Sequence, residues 1–137
     1  VRPAWLGVIV VGGAAGTSLR AALEGAFGAG PGEWPWVTFW INLGGAFMLG
    51  ALLEGLAGSS LGRTWRRGLQ LGLGTGLLGG FTTYSTFSLE TVQLLDSGHW
   101  PIGLGYALAA VTGGVAAAAG GIAAVRRLGS LRAGGAR

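Results

Sequence analysis

Apolar residues fall in four long runs, joined by short polar connectors. The runs cover about Ala4 to Phe27, Pro35 to Ala57, Gly68 to Ser97 and Pro101 to Val125. The connectors are Gly28 to Trp34, Gly58 to Arg67 and Gly98-His99-Trp100. Runs of this length with so few charges predict membrane-spanning helices. The third run is different. At the helical rise it would extend roughly 45 Å as one helix, against a hydrocarbon core of roughly 30 Å. Its centre, Gly79-Gly80-Phe81-Thr82-Thr83-Tyr84-Ser85-Thr86-Phe87-Ser88, mixes glycine, hydroxyl and aromatic residues. A helix broken near Gly79 to Thr83, with its second half starting at Thr83 or Tyr84, fits better than a straight one. Thr82 and Thr83 sit where that half needs an N-cap. Open backbone at membrane depth persists only where protein or a water-filled site satisfies it, so the break is a candidate ion site.

Composition agrees with a membrane protein. Of 137 residues, 50% are hydrophobic, 10% are charged and 30 are glycine. The absence of cysteine excludes disulfides and thiolate metal sites. The first run is too long for a signal h-region and reads as a retained helix. Residues 1–125 are expected to form one four-helix transmembrane domain, and 126–137 a basic, flexible tail. So few helices leave little room for a private pore, which predicts an oligomer.

Charge sets an orientation. Four spans put both termini and the second connector on one side, with Arg2, Arg63, Arg66, Arg67, Arg126, Arg127, Arg132 and Arg137. The other side has Glu33, Asp96 and His99. The positive-inside rule then places both termini in the cytoplasm. This placement accounts for the net charge of +4 better than nucleic-acid binding does. Trp5, Trp34, Trp36, Trp65 and Trp100 lie near span ends, as interfacial aromatics do. Gly12 and Gly16, and Gly72, Gly76 and Gly80, recur at a spacing that lets helix backbones approach closely.

Several polar residues carry candidate chemistry. Thr38 and Asn42 share one face of the second span and read equally as interhelical glue or as functional donors. Arg20, one turn before Glu24, reads as a snorkelling interfacial pair or as a positive charge near an anion entrance; the residues alone favour the first. Tyr84 and Phe87 lie three apart among hydroxyls at Thr82, Thr83, Ser85, Thr86 and Ser88. Ring edges can face an anion while ring faces pack. Glu90 needs either a partner or water, and both stay open. Tyr106 and Thr112 are the main polar groups of the fourth span; Thr112 reads as helix glue, Glu54 as interfacial and His99 as exposed. Gly74-Thr75-Gly76-Leu77-Leu78-Gly79 fits G-x-G-x-x-G, but no strand precedes it and no βαβ unit has room. No nucleophile, base and orienter are visible together, so catalysis is not expected.

At three places the chain resembles the Fluc/CrcB family of fluoride channels: Gly12 to Arg20, Thr38 to Phe47, and Gly79 to Ser88. The order of these motifs on four spans matches as well. The resemblance implies an all-α membrane protein of four transmembrane helices, the third broken near its middle, assembled as an antiparallel, dual-topology-like dimer with two pores. It implies passive export of fluoride from the cytoplasm across the plasma membrane. Backbone carbonyls of Gly79 and Thr82 from both subunits would hold a structural Na+ at the dimer centre. Asn42 would contact fluoride, and Tyr84 and Phe87 would take the aromatic positions lining the pores. Thr38, Glu90 and Tyr106 would fall on a polar track beside the hydroxyls of Thr83, Ser85 and Thr86, and Arg20 near a vestibule. Tyr84 stands where the family usually has Phe, and Ala110 and Gly113-Gly114 replace track serines. The arginine bias conflicts with insertion in both orientations, so the partner is either a second copy or an oppositely oriented homologue. A small dual-topology antiporter and a non-conducting assembly subunit are the competing classes. The antiporter wants a carboxylate midway along a helix, whereas Glu24 and Glu54 lie near span ends.

Overall fold

The structure, a computed structural model, describes residues 3–134, and the side chains of 3–131. Arg2, Arg137 and the side chain of Arg132 lie outside this description. Helix α1 spans Pro3–Phe27, α2 Trp36–Ala57 and α3 Arg63–Leu69. A π-helical stretch, Gln70–Leu78, follows; then come α4 (Gly79–Phe81), α5 (Tyr84–Asp96) and α6 (Trp100–Gly134). Among the described residues there is no strand. Three helices are long and apolar enough to cross a membrane: Pro3–Phe27, Trp36–Ala57 and the Trp100–Leu131 part of α6. The third apolar run is divided among the shorter helices α3 to α5 and the π-helical stretch.

Two helix pairs make the frame: α2 lies along α6, and α1 along the π-helical stretch and α4. Small residues set both contacts. Gly12 packs against the backbone of Gly72 and Gly76, and Gly50 and Gly121 bring α2 and α6 together at Ala118 and Phe47. Without water as the driving solvent, such close backbone packing is a main source of helix association.

The non-helical turns close one end. Gly30-Pro31-Gly32-Glu33 forms a turn in which the Glu33 amide donates to the Gly30 carbonyl at 3.2 Å, with Gly32 at φ 77°. Proline second and a positive-φ glycine third is the type II pattern. Just past the end of helix α5, Gly98 takes φ 82°; there the His99 amide reaches back to the Leu94 carbonyl at 2.8 Å and the Gly98 amide to Leu95 at 3.1 Å. These two bonds satisfy carbonyls that the helix end would otherwise leave open. The His99 ring sits against Gly32, so the two turns touch. At the other end Arg126 donates to both carboxylate oxygens of Glu54, at 2.8 and 3.2 Å, tying α6 to α2.

Two expected boundaries and one expected position shift. The second connector is shorter than expected, because Arg63 to Arg67 are already helical. Helix α6 continues past residue 126 to Gly134, so the boundary of the tail is not a helix end. Arginine, alanine and leucine are good helix formers and no proline intervenes, which explains both extensions. Helix α1 and α2 begin and end within a residue or so of the expected runs, but α6 is about 52 Å long at the helical rise, well beyond a bilayer core. Trp34 turns inward rather than towards the interface. Its ring packs on Trp36, Phe39 and Tyr106, at centroid distances of 5.5, 5.8 and 5.6 Å, and its indole N–H is buried without a partner.

Candidate functional site

Between α4 and α5 the chain leaves the helix for two residues. Thr82 has ψ 152° and Thr83 has φ −141° and ψ 123°, both extended. In a continuous helix the Thr83 amide would bond the Gly79 carbonyl, and the Thr86 amide the Thr82 carbonyl. Both amides go elsewhere. The Thr83 N–H donates to Asn42 Oδ1 at 2.8 Å, and the Thr86 N–H donates to Thr83 Oγ1 at 3.1 Å. The carbonyls of Gly79 and Thr82 are thereby deprived of their helical donors. Of the two threonines suited to capping, Thr83 is the N-cap of α5. Thr82 instead closes the preceding turn: its amide and its hydroxyl both donate to the Leu78 carbonyl, at 2.9 Å each.

Asn42 is the clamp on this segment. While its Oδ1 accepts from Thr83, its Nδ2 donates to the Thr83 carbonyl at 2.9 Å. One amide side chain of α2 therefore does for Thr83 what a neighbouring backbone would do. One N–H of Asn42 is left over. Asn42, Gly79, Thr82, Thr83, Tyr84 and Phe87 line a groove of about 390 Å³. Tyr84 is 81% exposed on it, and its ring lies 6.0 Å from that of Phe87.

A second hollow, of about 600 Å³, is lined by Thr38, Thr86 and Glu90 together with the turns at 28–33 and 97–99. Thr83 lines the groove and Thr86 lines this hollow, and the Thr83 hydroxyl donates to that of Thr86 at 3.0 Å. The hydroxyl pair thus links a wall of the groove to a wall of the hollow. Ser85, exposed, shares a 3.3 Å hydrogen bond with Thr83 Oγ1 and lines neither.

Three helices converge on Glu90. Thr38 of α2 donates to Glu90 Oε1 at 2.7 Å and Tyr106 of α6 donates to Oε2 at 2.8 Å. Hydrogen bonds to a carboxylate are short and strong, and two of them hold this one. Thr38 and Tyr106 are fully buried. Phe87 lies 5.4 Å from Tyr106, so the rings of Tyr84, Phe87, Tyr106 and Trp34 form a continuous series beside the polar line.

Arg20 lines neither hollow, although its partner Glu24 lines the second. Its Nε donates to the Gly80 carbonyl at 3.3 Å, and its Nη1 to Glu24 at 3.1 Å. Thr17 reaches the same Gly80 carbonyl at 3.4 Å. Thr17 lies within the Gly12 to Arg20 motif but carries no role of its own in the sequence; its position one turn before Arg20 on the same helix face is the available signal. Thr112 faces outward and bonds its own helix at Leu108, so it does not link helices within this chain. His99 is exposed, as expected, with Ser97 Oγ 3.0 Å from its Nδ1.

The arrangement offers two kinds of chemistry side by side: carbonyl oxygens suited to a hard cation, and hydroxyl, amide and ring-edge hydrogens suited to a small anion. Comparison with known proteins bears on which ions these are. Residues 7–122 match the family described as "CrcB-like protein, Camphor Resistance (CrcB)". A protein of Cutibacterium acnes named "Fluoride-specific ion channel FluC 1" is 44% identical over 125 residues, 91% of this chain and 87% of that protein. One of the same name from Mycolicibacterium paratuberculosis is 42% identical over 116 residues, covering 82% and 83%. "Fluoride-specific ion channel FluC" of Bordetella avium is 41% identical over 119 residues, covering 87% and 90%. These relatives are named as channels, not as enzymes. With the family motif running through all four apolar segments and the three long apolar helices in place, this chain, a multi-pass protein of the bacterial cell membrane, belongs to the CrcB family.

Proposed function

We propose that this chain forms a fluoride-selective channel that lets fluoride leave the cytoplasm passively, and that Thr82–Thr83 is the break of a single third membrane crossing. The names of its relatives supply the ion. The observation that carries the reading is the diversion of two amides, to Asn42 and to the Thr83 hydroxyl, beside a groove that two aromatic rings line. Fluoride is small and holds its water tightly, so a path for it must replace that water with hydrogen-bond donors. The spare N–H of Asn42, the hydroxyls of Thr83, Ser85 and Thr86 and the edges of Tyr84 and Phe87 provide them. Thr38, Glu90 and Tyr106 continue the path. There an anion must share hydroxyl hydrogens that Glu90 already holds, a step that selects for a small, strongly accepting ion.

The cation reading rests on the same segment. Carbonyls of unwound backbone are a known way to coordinate sodium in a membrane. Gly79 and Thr82 supply two per chain, and two chains facing each other would supply a full oxygen shell for a structural Na+. When bound, that ion supplies positive potential beside the anion path. Tyr84, exposed on the groove, would be covered in an antiparallel dimer carrying two pores.

The arginine bias favours a specific version of this assembly. Among the described residues Arg63, Arg66, Arg67, Arg126 and Arg127 share one end, with Glu54 their one acidic neighbour in a hydrogen bond. Such a chain suits one orientation and an oppositely oriented homologue as partner. Glu90, a carboxylate facing a hollow, is the observation that favours the antiporter instead.

Fluoride efflux from proteoliposomes containing only this chain tests these readings together. Fast efflux, negligible chloride efflux and no requirement for a proton gradient support a homomeric channel. Efflux that demands proton exchange replaces the channel with the antiporter. Efflux appearing only on coexpression with an oppositely biased homologue selects the heteromer, and tag accessibility on both faces reads its orientation directly.

A further inference from the structure

Three successive carbonyls of the last turn before Thr82, those of Leu78, Gly79 and Gly80, meet different fates. The Leu78 carbonyl accepts twice from Thr82, from the amide and from the hydroxyl. The Gly80 carbonyl accepts from two residues of α1, Arg20 through Nε at 3.3 Å and Thr17 through its hydroxyl at 3.4 Å. The Gly79 carbonyl, between them, has lost its helical donor to Asn42. Helix α1 is pressed onto this turn: the space beside the Gly80 α-carbon is filled by the Gly13 carbonyl oxygen and by Thr17 Oγ1. Arg20 is itself held, because Nη1 is tied to Glu24 one turn later. Its side chain is only 21% exposed.

We infer that Arg20 and Thr17 are positioning residues for the cation site. They bind the Gly80 carbonyl on the α1 side of the turn, which fixes the rotation of the turn and with it the direction in which the Gly79 carbonyl, freed of its helical donor, points. The guanidinium also offsets the partial negative charge of a helix C-terminus that would otherwise stand beside an anion path. This assigns Arg20 to the backbone of the interruption rather than to a vestibule wall. It rests on the reading that Gly79 and Thr82 hold a cation.

The test is the sodium dependence of thermal unfolding of the purified full chain, compared in sodium and in N-methylglucamine salts. Sodium-dependent fluoride efflux is the second readout. Arg20→Met is expected to raise the sodium concentration for half-maximal protection by about tenfold, the size expected for losing a charge-assisted hydrogen bond. Thr17→Val should raise it less, and Arg20→Lys should recover part of the loss. High sodium should restore the unfolding temperature of each variant. Wild-type sodium dependence in both Arg20→Met and Thr17→Val overturns the inference and leaves the cation reading standing. Absence of any sodium protection in the wild-type chain overturns the cation reading, and the inference with it. Should Arg20→Met not fold, Thr17→Val decides by the same criterion, since it removes one hydroxyl and keeps the volume.

Discussion

The α-carbon of Gly16 on α1 lies against the carbonyl oxygen of Leu77, with the Phe81 amide beside it, so that no Cβ fits. The neighbours are backbone atoms that cannot swing aside. Gly16→Ala should therefore cost about 1–3 kcal/mol by overpacking, despite the better helix propensity of alanine. Gly7 on the same helix has nothing within 4 Å of an added Cβ, so Gly7→Ala should leave stability unchanged or improve it. Thermal unfolding of the two variants in one detergent makes the comparison. Equal stability would mean that α1 does not pack on the π-helical stretch as described.

Replacing Asn42 strips both partners from Thr83. Asn42→Ala leaves a buried amide and carbonyl to find others, a loss of about 1–3 kcal/mol. Asn42→Asp keeps the acceptor for the Thr83 N–H but sets a carboxylate oxygen against the Thr83 carbonyl. Both variants should cut fluoride flux, and Asn42→Asp should do so even where the protein remains assembled on size exclusion. Undiminished flux in either would remove Asn42 from the path.

Capping at Thr83 separates hydroxyl from methyl. Thr83→Ser retains the acceptor for the Thr86 amide and should be mild. Thr83→Val loses it and should lower stability by about 1 kcal/mol, with a larger loss of flux because the link to Thr86 is cut as well. Denaturation and efflux measured on both variants distinguish the cap from the packing of the methyl group.

Around Glu90, two hydroxyls serve one carboxylate. Thr38→Val and Tyr106→Phe each remove one donor, and each should reduce flux and stability. Because both act on one group, the double variant should differ from the sum of the singles by more than about 0.5 kcal/mol. A double-mutant cycle by thermal unfolding reads the coupling. Strict additivity would show that the three groups do not act as one cluster.

The aromatic series makes a different forecast. Phe87 touches Tyr84 and Tyr106 and lines the groove, whereas Leu53 is exposed on the outer face of α2. Phe87→Ile should lower conduction much more than Leu53→Ile, since branched aliphatic carbon has no positively polarised ring edge. Similar efflux rates in the two variants would count against a role for the ring.

The sequence by itself determined the class of structure. Runs of apolar residues as long as Ala4 to Phe27 or Pro35 to Ala57 have one stable outcome in a bilayer, a helix that bonds its own backbone. The spacing of Gly12 and Gly16 and of Gly72, Gly76 and Gly80 likewise announced close helix contacts, because steric room is a local property of glycine. Family membership was legible too, in three motifs that lie in order along the chain. Helix ends at Arg63 and beyond Val125 were less legible, since arginine marks the edge of a membrane but does not stop a helix.

Tertiary structure alone decided where the polar groups point and what they hold. Thr38 and Asn42 share a helix face, yet one serves the Glu90 carboxylate and the other the Thr83 backbone. Arg20 could have faced lipid headgroups or an entrance; it binds the Gly80 carbonyl, sixty residues away in the chain. Trp34 could have lain at the interface and instead packs on Tyr106. Thr38, Asn42 and Arg20 each had several chemically reasonable hydrogen-bond partners. In a low-dielectric interior an unpaired polar group is costly, so the choice falls to whichever partner the packing of α1, α2, α5 and α6 brings within reach. Hydropathy is written residue by residue along the chain, but hydrogen-bond partners are fixed only when distant segments meet.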